Sequence, residues 1–371
     1  MTDDRPIPGG GKAAGGYRLR LVAWNTFLLR PRLIPWGMPL PAVGEMAAPA
    51  VADRAVAIGE ALAGAYEVSA LCEVFDPIER RWVLGGWGDR PGFTAVAGPE
   101  RTFPPGGPAA FASSGLLTVA DRVPVTRTGE LRYETRGDRL HDADAWSNKG
   151  VLLVEVDPLG GAAGKVEIYS THLLFGTGLL PGRRAADPER RHQLRMQQVD
   201  ELVAFVEDVH RPENLVVVVG DFNVPAHDAT QGLRPDRWHL DLAARLARLG
   251  LVDAWVAHGV GPGATYGRAE DAFDEEDPDC PGRLVDDLDG PGAGAGTGTE
   301  RERIDYIWVQ SPSPDHRLDV AFGRPRRRAF PRPTDAPDHA RLPRLSDHLA
   351  VELELMVRSR PRSPVDRRPV A

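Results

Sequence analysis

With 371 residues and 42% hydrophobic content, the chain is long enough to bury a sizeable core, as one large domain or two small ones. No run of about 18 apolar residues exists to make a membrane-spanning helix, and two cysteines, Cys72 and Cys280, exclude a disulfide framework. The net charge of −8 is concentrated between Glu270 and Gly290, where ten acidic residues face one arginine, so the remainder is close to +1 and the bulk figure says little about the working surface.

In chain order, residues 1–17 lack the apolar stretch of a signal peptide and read as a disordered leader, with a cytoplasmic location as the expectation. Arg18 to Asn25 alternates with period two and then turns apolar, as a strand entering a core does. Leu28 to Pro41 carries too many prolines for helix or central strand; its Leu33, Ile34, Trp36 and Met38 suit either ordinary packing of a long loop or a lip that contacts lipid. Val51 to Leu62 reads as an amphipathic helix, and Val68 to Cys72 as a short buried strand ending at Glu73. Asp76 is placed to cap a helix beginning at Phe75, with Pro77 at its first position. Ser114 to Val119 and Val123 to Tyr133 read as consecutive strands. Ser147 to Val156 and Lys165 to His172 read as a hairpin with His172 at its exit.

Pro188 to Val209 is the longest predicted helix, with Leu194, Val199, Leu202, Val203 and Val206 on one face. Four valines, Val216 to Val219, then read as a strand buried on both faces. That strand stops at Gly220, where Asp221 and Asn223 project from its end. A helix around Leu240 to Leu249 and strands at Leu251 to Trp255, Arg303 to Val309 and Leu349 to Leu355 complete the pattern. The acidic, Gly-rich stretch 269–300 reads as a disordered insertion, Arg324 to Arg332 as a solvated basic loop, and 357–371 as a basic disordered tail. Interleaved helices and antiparallel strands specify an α/β sandwich of mixed sheets.

Asn25, Glu73, His172, Asp221, Asn223, Asp305 and the Asp347–His348 pair each lie at or beside the end of an apolar strand. One such residue is usually a cap or a turn, but sheets gather their strand ends along one rim, where ligands bind. Oxygen-rich ligands with no Cys or His cluster suit a hard cation, Mg²⁺ or Mn²⁺. Two histidines beside them provide phosphate donors and a base, a kit for metal-assisted phosphoester hydrolysis.

The segments LVAWNTF, ALCEVF, YSTHLLFG, VVVGDFNVP, RIDYIWV and LSDHLAVELEL resemble, in content and order, the endonuclease/exonuclease/phosphatase superfamily over Leu19 to Leu355. The resemblance implies a four-layered α/β sandwich of two mixed β-sheets flanked by helices, with the site at one edge. It implies Glu73 as the central metal ligand, with Asn25 and Asp347 supporting the metal. Asp221 would position or deprotonate the attacking water, and Asn223 would hold that water and a phosphate oxygen. His172 would hydrogen-bond the scissile phosphate, Asp305 would orient the catalytic histidine, and His348 would be general base or phosphate donor. Ser147 to Gly150 looks most like the sphingomyelinase branch, where Lys149 either neutralises a phosphate or is a solvent-facing turn lysine. The expected activity is a sphingomyelinase-type phospholipase C acting on a phospholipid, with peripheral contact to a membrane surface and no obligate protein partner. The alternatives are a nuclease acting on DNA or RNA, an inositol-phosphate phosphatase, and a catalytically inactive binding module.

Overall fold

The computed structural model describes residues 12–13, 16–30, 32–33, 38–39, 48–100, 112–137, 143–161, 164–175, 187–227, 234–266, 273–276, 283–285, 302–336 and 338–360. The site-bearing strands are β1 (Gly16–Asn25), β2 (Val68–Cys72), β3 (Gly150–Val156), β4 (Val166–His172), β5 (Leu215–Asp221), β6 (Asp305–Gln310) and β7 (Ala350–Ser359). The first sheet runs Arg326–Ala329, β7, β1, β2, Leu117–Asp121, Phe93–Ala97; the second runs Leu251–Asp253, β6, β5, β4, β3, Val125–Arg132. Each has one parallel pair at its centre, β1 with β2 and β4 with β5, and antiparallel neighbours on both sides.

Alternation along the strands builds the layers. Leu21 and Ala23 of β1 and Val217 and Val219 of β5 meet in the core between the sheets. The intervening Val22 and Trp24 face outward onto α1 (Val51–Leu62) and α2 (Pro77–Gly85). Val216 and Val218 face outward onto α3 (Pro188–Val209) and α4 (Arg237–Leu246). The valine run is therefore buried on both faces because it separates two apolar layers. The α2 cap forms as predicted, Asp76 accepting from Ile78 N and Glu79 reaching back to the cap backbone. On α3, Val199, Leu202, Val203 and Val206 are buried as expected, while Leu194 is half-buried and Met196 takes a core position.

Some expectations need correction. The strands after Ser114 belong to different sheets, because the chain crosses between sheets after Asp121. Strand β1 begins at Gly16, with Lys12–Ala13 paired against it, and β7 runs to Ser359, so both ends of the ordered sheet extend past the expected limits. Within 269–300, Phe273–Glu276 and Arg283–Val285 pair as strands beside Arg326–Ala329; the rest of that stretch and 361–371 lie outside the described residues. So does the Leu33 to Met38 segment, save for a backbone pairing of Arg32–Leu33 with Met38–Pro39.

Arg324 to Arg332 is not a solvated loop: Arg326–Ala329 is a strand, and Arg327, Arg328 and Arg332 are buried. Each buried guanidinium finds acceptors, Arg328 on Glu352, Arg327 on Ala264 O and Arg332 on Leu342 O, which is the condition for burying such a group. Among the described residues, no helix is long and apolar enough to cross a membrane.

Gly220 lies one residue before the end of β5, still paired with Thr171 and Tyr306 on the flanking strands. Its φ of 139° is open to glycine, and a Cβ there would lie 1.9 Å from Thr171 O on β4. At the opposite end of the second sheet, Glu155 and Glu167 stand directly across β3 and β4 from one another with fully buried side chains. Arg127 bridges them at 3.0 and 2.8 Å, and Thr126, Lys165, Asn214, Tyr169 and His210 satisfy the remaining oxygens. Burial pushes both carboxyls up, but these hydrogen bonds and charges prevail and hold both below the usual carboxylate range.

Two outcomes follow from this packing. Gly220→Ala is expected to destabilise the fold by about 2–4 kcal/mol through backbone conflict, read as a lower urea midpoint. Depressed acid pKa values contribute stability that is present above the unfolded value of about 4.3 and lost as pH falls through the lower folded values. The urea midpoint is therefore expected to drop on acidification, and more shallowly in Glu155→Gln/Glu167→Gln.

Candidate functional site

Strand direction brings the predicted residues to one rim. The parallel register sets Asn25 opposite Cys72, so Glu73 is the first residue past the first sheet, and sets His172 opposite Asp221 in the second. Antiparallel neighbours begin where these strands end. Asp305 opens β6 opposite Asp221, Lys149 precedes β3, and His348 precedes β7.

At the centre, Asn25 Nδ2 donates to Asp221 Oδ2 at 2.9 Å, and Asn223 N donates to Asp221 Oδ1 at 2.9 Å. Asp305 Oδ2 lies 2.8 Å from His348 Nδ1, and the other nitrogen, Nε2, lies 4.0 Å from Asp221 Oδ2. His172 Nε2 approaches the same oxygen at 3.6 Å. All six of these side chains are buried. Asn223 takes φ 52°, a left-handed conformation that asparagine tolerates, and its Nδ2 donates to Leu173 O at 3.0 Å.

The environment separates the two histidines. For His348, burial opposes charging, yet the charge and hydrogen bond of Asp305, with the charges of Asp347 and Asp221, push its pKa well above the usual value. For His172, burial and the neighbouring Lys149 and His348 push it well below. The two imidazoles are thus driven in opposite directions. Burial and the Asp305 charge raise the Asp221 carboxyl, which His348, Asn25 and Asn223 oppose.

Glu73 is held with φ 64°, a strain of about 1–3 kcal/mol that persists only where the surroundings over-determine it. The bond from Val74 N to Gly115 O at 2.9 Å pins the chain just beyond it. Burial and the charge of Asp347 push the Glu73 carboxyl up to about 7, against Lys149, His348 and a hydrogen bond from Asn25. Asp347 is half-buried and raised by burial. Lys149 is buried, with its charge acting on both Glu73 and His172, so it is not a solvent-facing turn lysine.

The residues present fit a divalent cation. Glu73 Oε2 and Asp305 Oδ1 are buried carboxylate oxygens without a hydrogen-bond partner, a costly state that a cation relieves. Among the described residues, Asp221, Asp305 and His348 bring ligand atoms within 4.8 Å of one another. Glu73 and Asp347 form the more exposed acidic pair, and their oxygens are the donors a hard cation takes. Asn25 turns its amide nitrogen to the acids and its Oδ1 to Phe27 N at 3.1 Å, which leaves that oxygen a second lone pair.

A sequence profile of the Endonuclease/Exonuclease/phosphatase family matches residues 61–348. No curated protein matches the chain. Among solved structures, the beta toxin from Staphylococcus aureus is similar with a TM-score of 0.54 and 18% identity, over 90% of this chain and 99% of that one. A second structure of that toxin, a mutant with bound magnesium ions, has a TM-score of 0.54 and 18% identity, over 92% and 99%. Sphingomyelinase C from Streptomyces griseocarneus has a TM-score of 0.53 and 20% identity, over 91% and 99%. At these identities the likeness establishes the fold.

Four supporting residues escaped the sequence analysis. Thr265 Oγ1 meets Asp305 N at 3.3 Å, the Tyr266 ring lies 4.8 Å from that of His348, and Ser346 Oγ donates to Asn25 O at 2.7 Å. The fourth, Arg54 on α1, is 1% exposed and donates to Pro49 O, Thr26 O, Phe27 O and Leu345 O at 2.6–3.1 Å. It ties the loop after Asn25 to the loop before Asp347, and nothing in an amphipathic helix pattern distinguishes such an arginine from a surface one. Arg54→Met is expected to lower the folding free energy by about 2–4 kcal/mol, since several buried carbonyls lose their donor. Chemical denaturation checks this, with the Ser346→Ala variant losing about 1 kcal/mol for comparison.

Proposed function

The chain belongs to the endonuclease/exonuclease/phosphatase family of phosphodiester hydrolases, and from that premise we propose that it is a divalent-cation-dependent phospholipase C of the sphingomyelinase type. The observation that carries the reading is the buried Asp305–His348 pair at 2.8 Å facing Asp221, beside the unpartnered Oε2 of Glu73. The sphingomyelinase C fold likeness and the beta toxin structure with bound magnesium ions support the choice of substrate class and cation.

In this reading Asp221, its carboxylate anchored by Asn25 and Asn223, orients the attacking water and takes its proton. The water oxygen bonds to phosphorus as the bond from phosphorus to the lipid alcohol oxygen breaks. The raised pKa of His348 favours the donor role over the base: as an imidazolium fixed by Asp305 it offers Nε2–H to a phosphate oxygen. Lys149 adds positive charge at the same rim. His172, kept neutral, donates a hydrogen bond to the phosphate or to the departing alcohol oxygen. Glu73 and Asp347 would hold Mg²⁺ or Mn²⁺, which supplies neutralisation of phosphate charge.

The near-neutral body outside the acidic stretch favours a zwitterionic headgroup over duplex DNA, whose affinity rests on several phosphate contacts. The test is hydrolysis of sphingomyelin vesicles and of supercoiled plasmid side by side, with Mg²⁺ or with EDTA. Cation-dependent phosphocholine release, reduced in His348→Ala by a factor on the order of 10²–10⁴, is the expected result. Plasmid nicking without lipid cleavage would move the enzyme to the nuclease reading, and no turnover of either would remove the phosphodiesterase assignment of this chain.

A further inference from the structure

Beside His348 the rim carries an aromatic side chain that the proposed hydrolysis leaves unused. Tyr266 sits on a short segment laced between the strands that deliver Asp305 and His348. Its backbone exchanges hydrogen bonds with that of Glu302, at 3.0 Å in both directions. Thr265 O accepts from Leu349 N at 2.8 Å, next to His348, and Ala264 O accepts from the buried Arg327 at 2.6 Å. These bonds fix the main chain on both sides, so the ring is held with its centroid 4.8 Å from that of His348.

Packing against His348 accounts for a ring at this place but not for a hydroxyl. The residue is half-buried, and its hydroxyl makes no hydrogen bond to the described residues. Structural tyrosines in this chain do otherwise: the hydroxyls of Tyr133, Tyr169 and Tyr306 meet Thr171, Glu167 and Val224. What surrounds Tyr266 is negative charge. Burial and then the charges of Asp347, Glu302, Asp221 and Glu73 raise its hydroxyl above the usual tyrosine value. Glu73 and Asp347 are the carboxylates assigned to the metal and Asp221 the one assigned to water, whereas Glu302 has no part in that chemistry. An electron-rich ring in a field of carboxylates attracts a cation. A quaternary ammonium has no N–H group to satisfy, so it is the cation that a ring face takes without loss of hydrogen bonds.

We propose that Tyr266 is a specificity-determining residue for the headgroup, receiving a quaternary ammonium on its ring while His348 holds the phosphate. The inference rests on the phosphodiesterase reading above and adds the residue that selects the headgroup. A short spacer between phosphate and ammonium lets one headgroup occupy both neighbouring rings, and a nucleic acid offers no such cation.

The experiment measures binding instead of turnover, so headgroup recognition and lipid hydrolysis fail separately. The full chain with Mg²⁺ is titrated by calorimetry with phosphocholine, with 3,3-dimethylbutyl phosphate, in which carbon replaces the ammonium nitrogen, and with thymidine monophosphate. The parent is expected to bind phosphocholine about fivefold or more tightly than the carbon isostere. That preference is expected to persist in Tyr266→Phe, which keeps the ring, and to fall below about twofold in Tyr266→Leu. A second measurement needs no loss-of-ring variant: with ring-labelled tyrosines, the choline methyl protons are expected to show an Overhauser contact that is absent from Tyr266→Phe. Equal binding of phosphocholine and its isostere by the parent, a preference that survives Tyr266→Leu, or no such contact overturns the proposal, as does binding of neither. Tighter binding of thymidine monophosphate than of phosphocholine overturns it in favour of a stacked base.

Discussion

Two polar contacts bridge the sheets at the catalytic rim, and the site depends on both. Asn25 from the first sheet meets Asp221 from the second at 2.9 Å, and His348 from the first meets Asp305 from the second at 2.8 Å. Deeper, the same interface is largely apolar, filled by residues such as Leu21, Ala23, Val217, Val219 and Leu353, with the buried Thr118–Ser170 hydroxyl pair at 3.1 Å within it. The apolar layer sets how closely the sheets approach. The polar seam at its end is where carboxylates can be buried with partners instead of orphaned. The helices outside then hold each sheet against this shared core.

The chemistry follows from how unevenly that seam is satisfied. Asp221 has both oxygens engaged, so its orientation is set. Glu73 and Asp305 each keep one buried oxygen without a partner, and Glu73 sits in a left-handed conformation. A protein that sought only stability would relieve all three. Their retention beside one histidine raised and one lowered in pKa is the asymmetry on which the proposed hydrolysis rests, since perturbed groups gather where function resides. The Arg54 guanidinium shows the corresponding structural cost: four loop carbonyls must be gathered to tie the loop after Asn25 to the loop before Asp347.

Buried charge elsewhere serves a different end. Glu155 and Glu167 would repel across β3 and β4, but Arg127 and its companions satisfy every oxygen, so that cluster is a clamp at the closed end of the second sheet. Comparing the two clusters distinguishes the candidate site from a clamp by the unsatisfied groups, not by the number of charges.

Much of this was legible from residue order. Period-two alternation, the valine run and the Asp76–Pro77 cap specified the strands and helices, and acids at the ends of apolar runs identified the rim, because those patterns are local consequences of burial and backbone geometry. Tertiary structure alone decided which strands share a sheet, that Arg327 and Arg328 lie inside, that Lys149 is buried beside Glu73, and that Arg54, Thr265, Tyr266 and Ser346 support the site. A polar side chain's role depends on which distant atoms come within hydrogen-bonding distance. Asn25 and Asp221 are far apart in the chain, and only the packing of two sheets makes them neighbours.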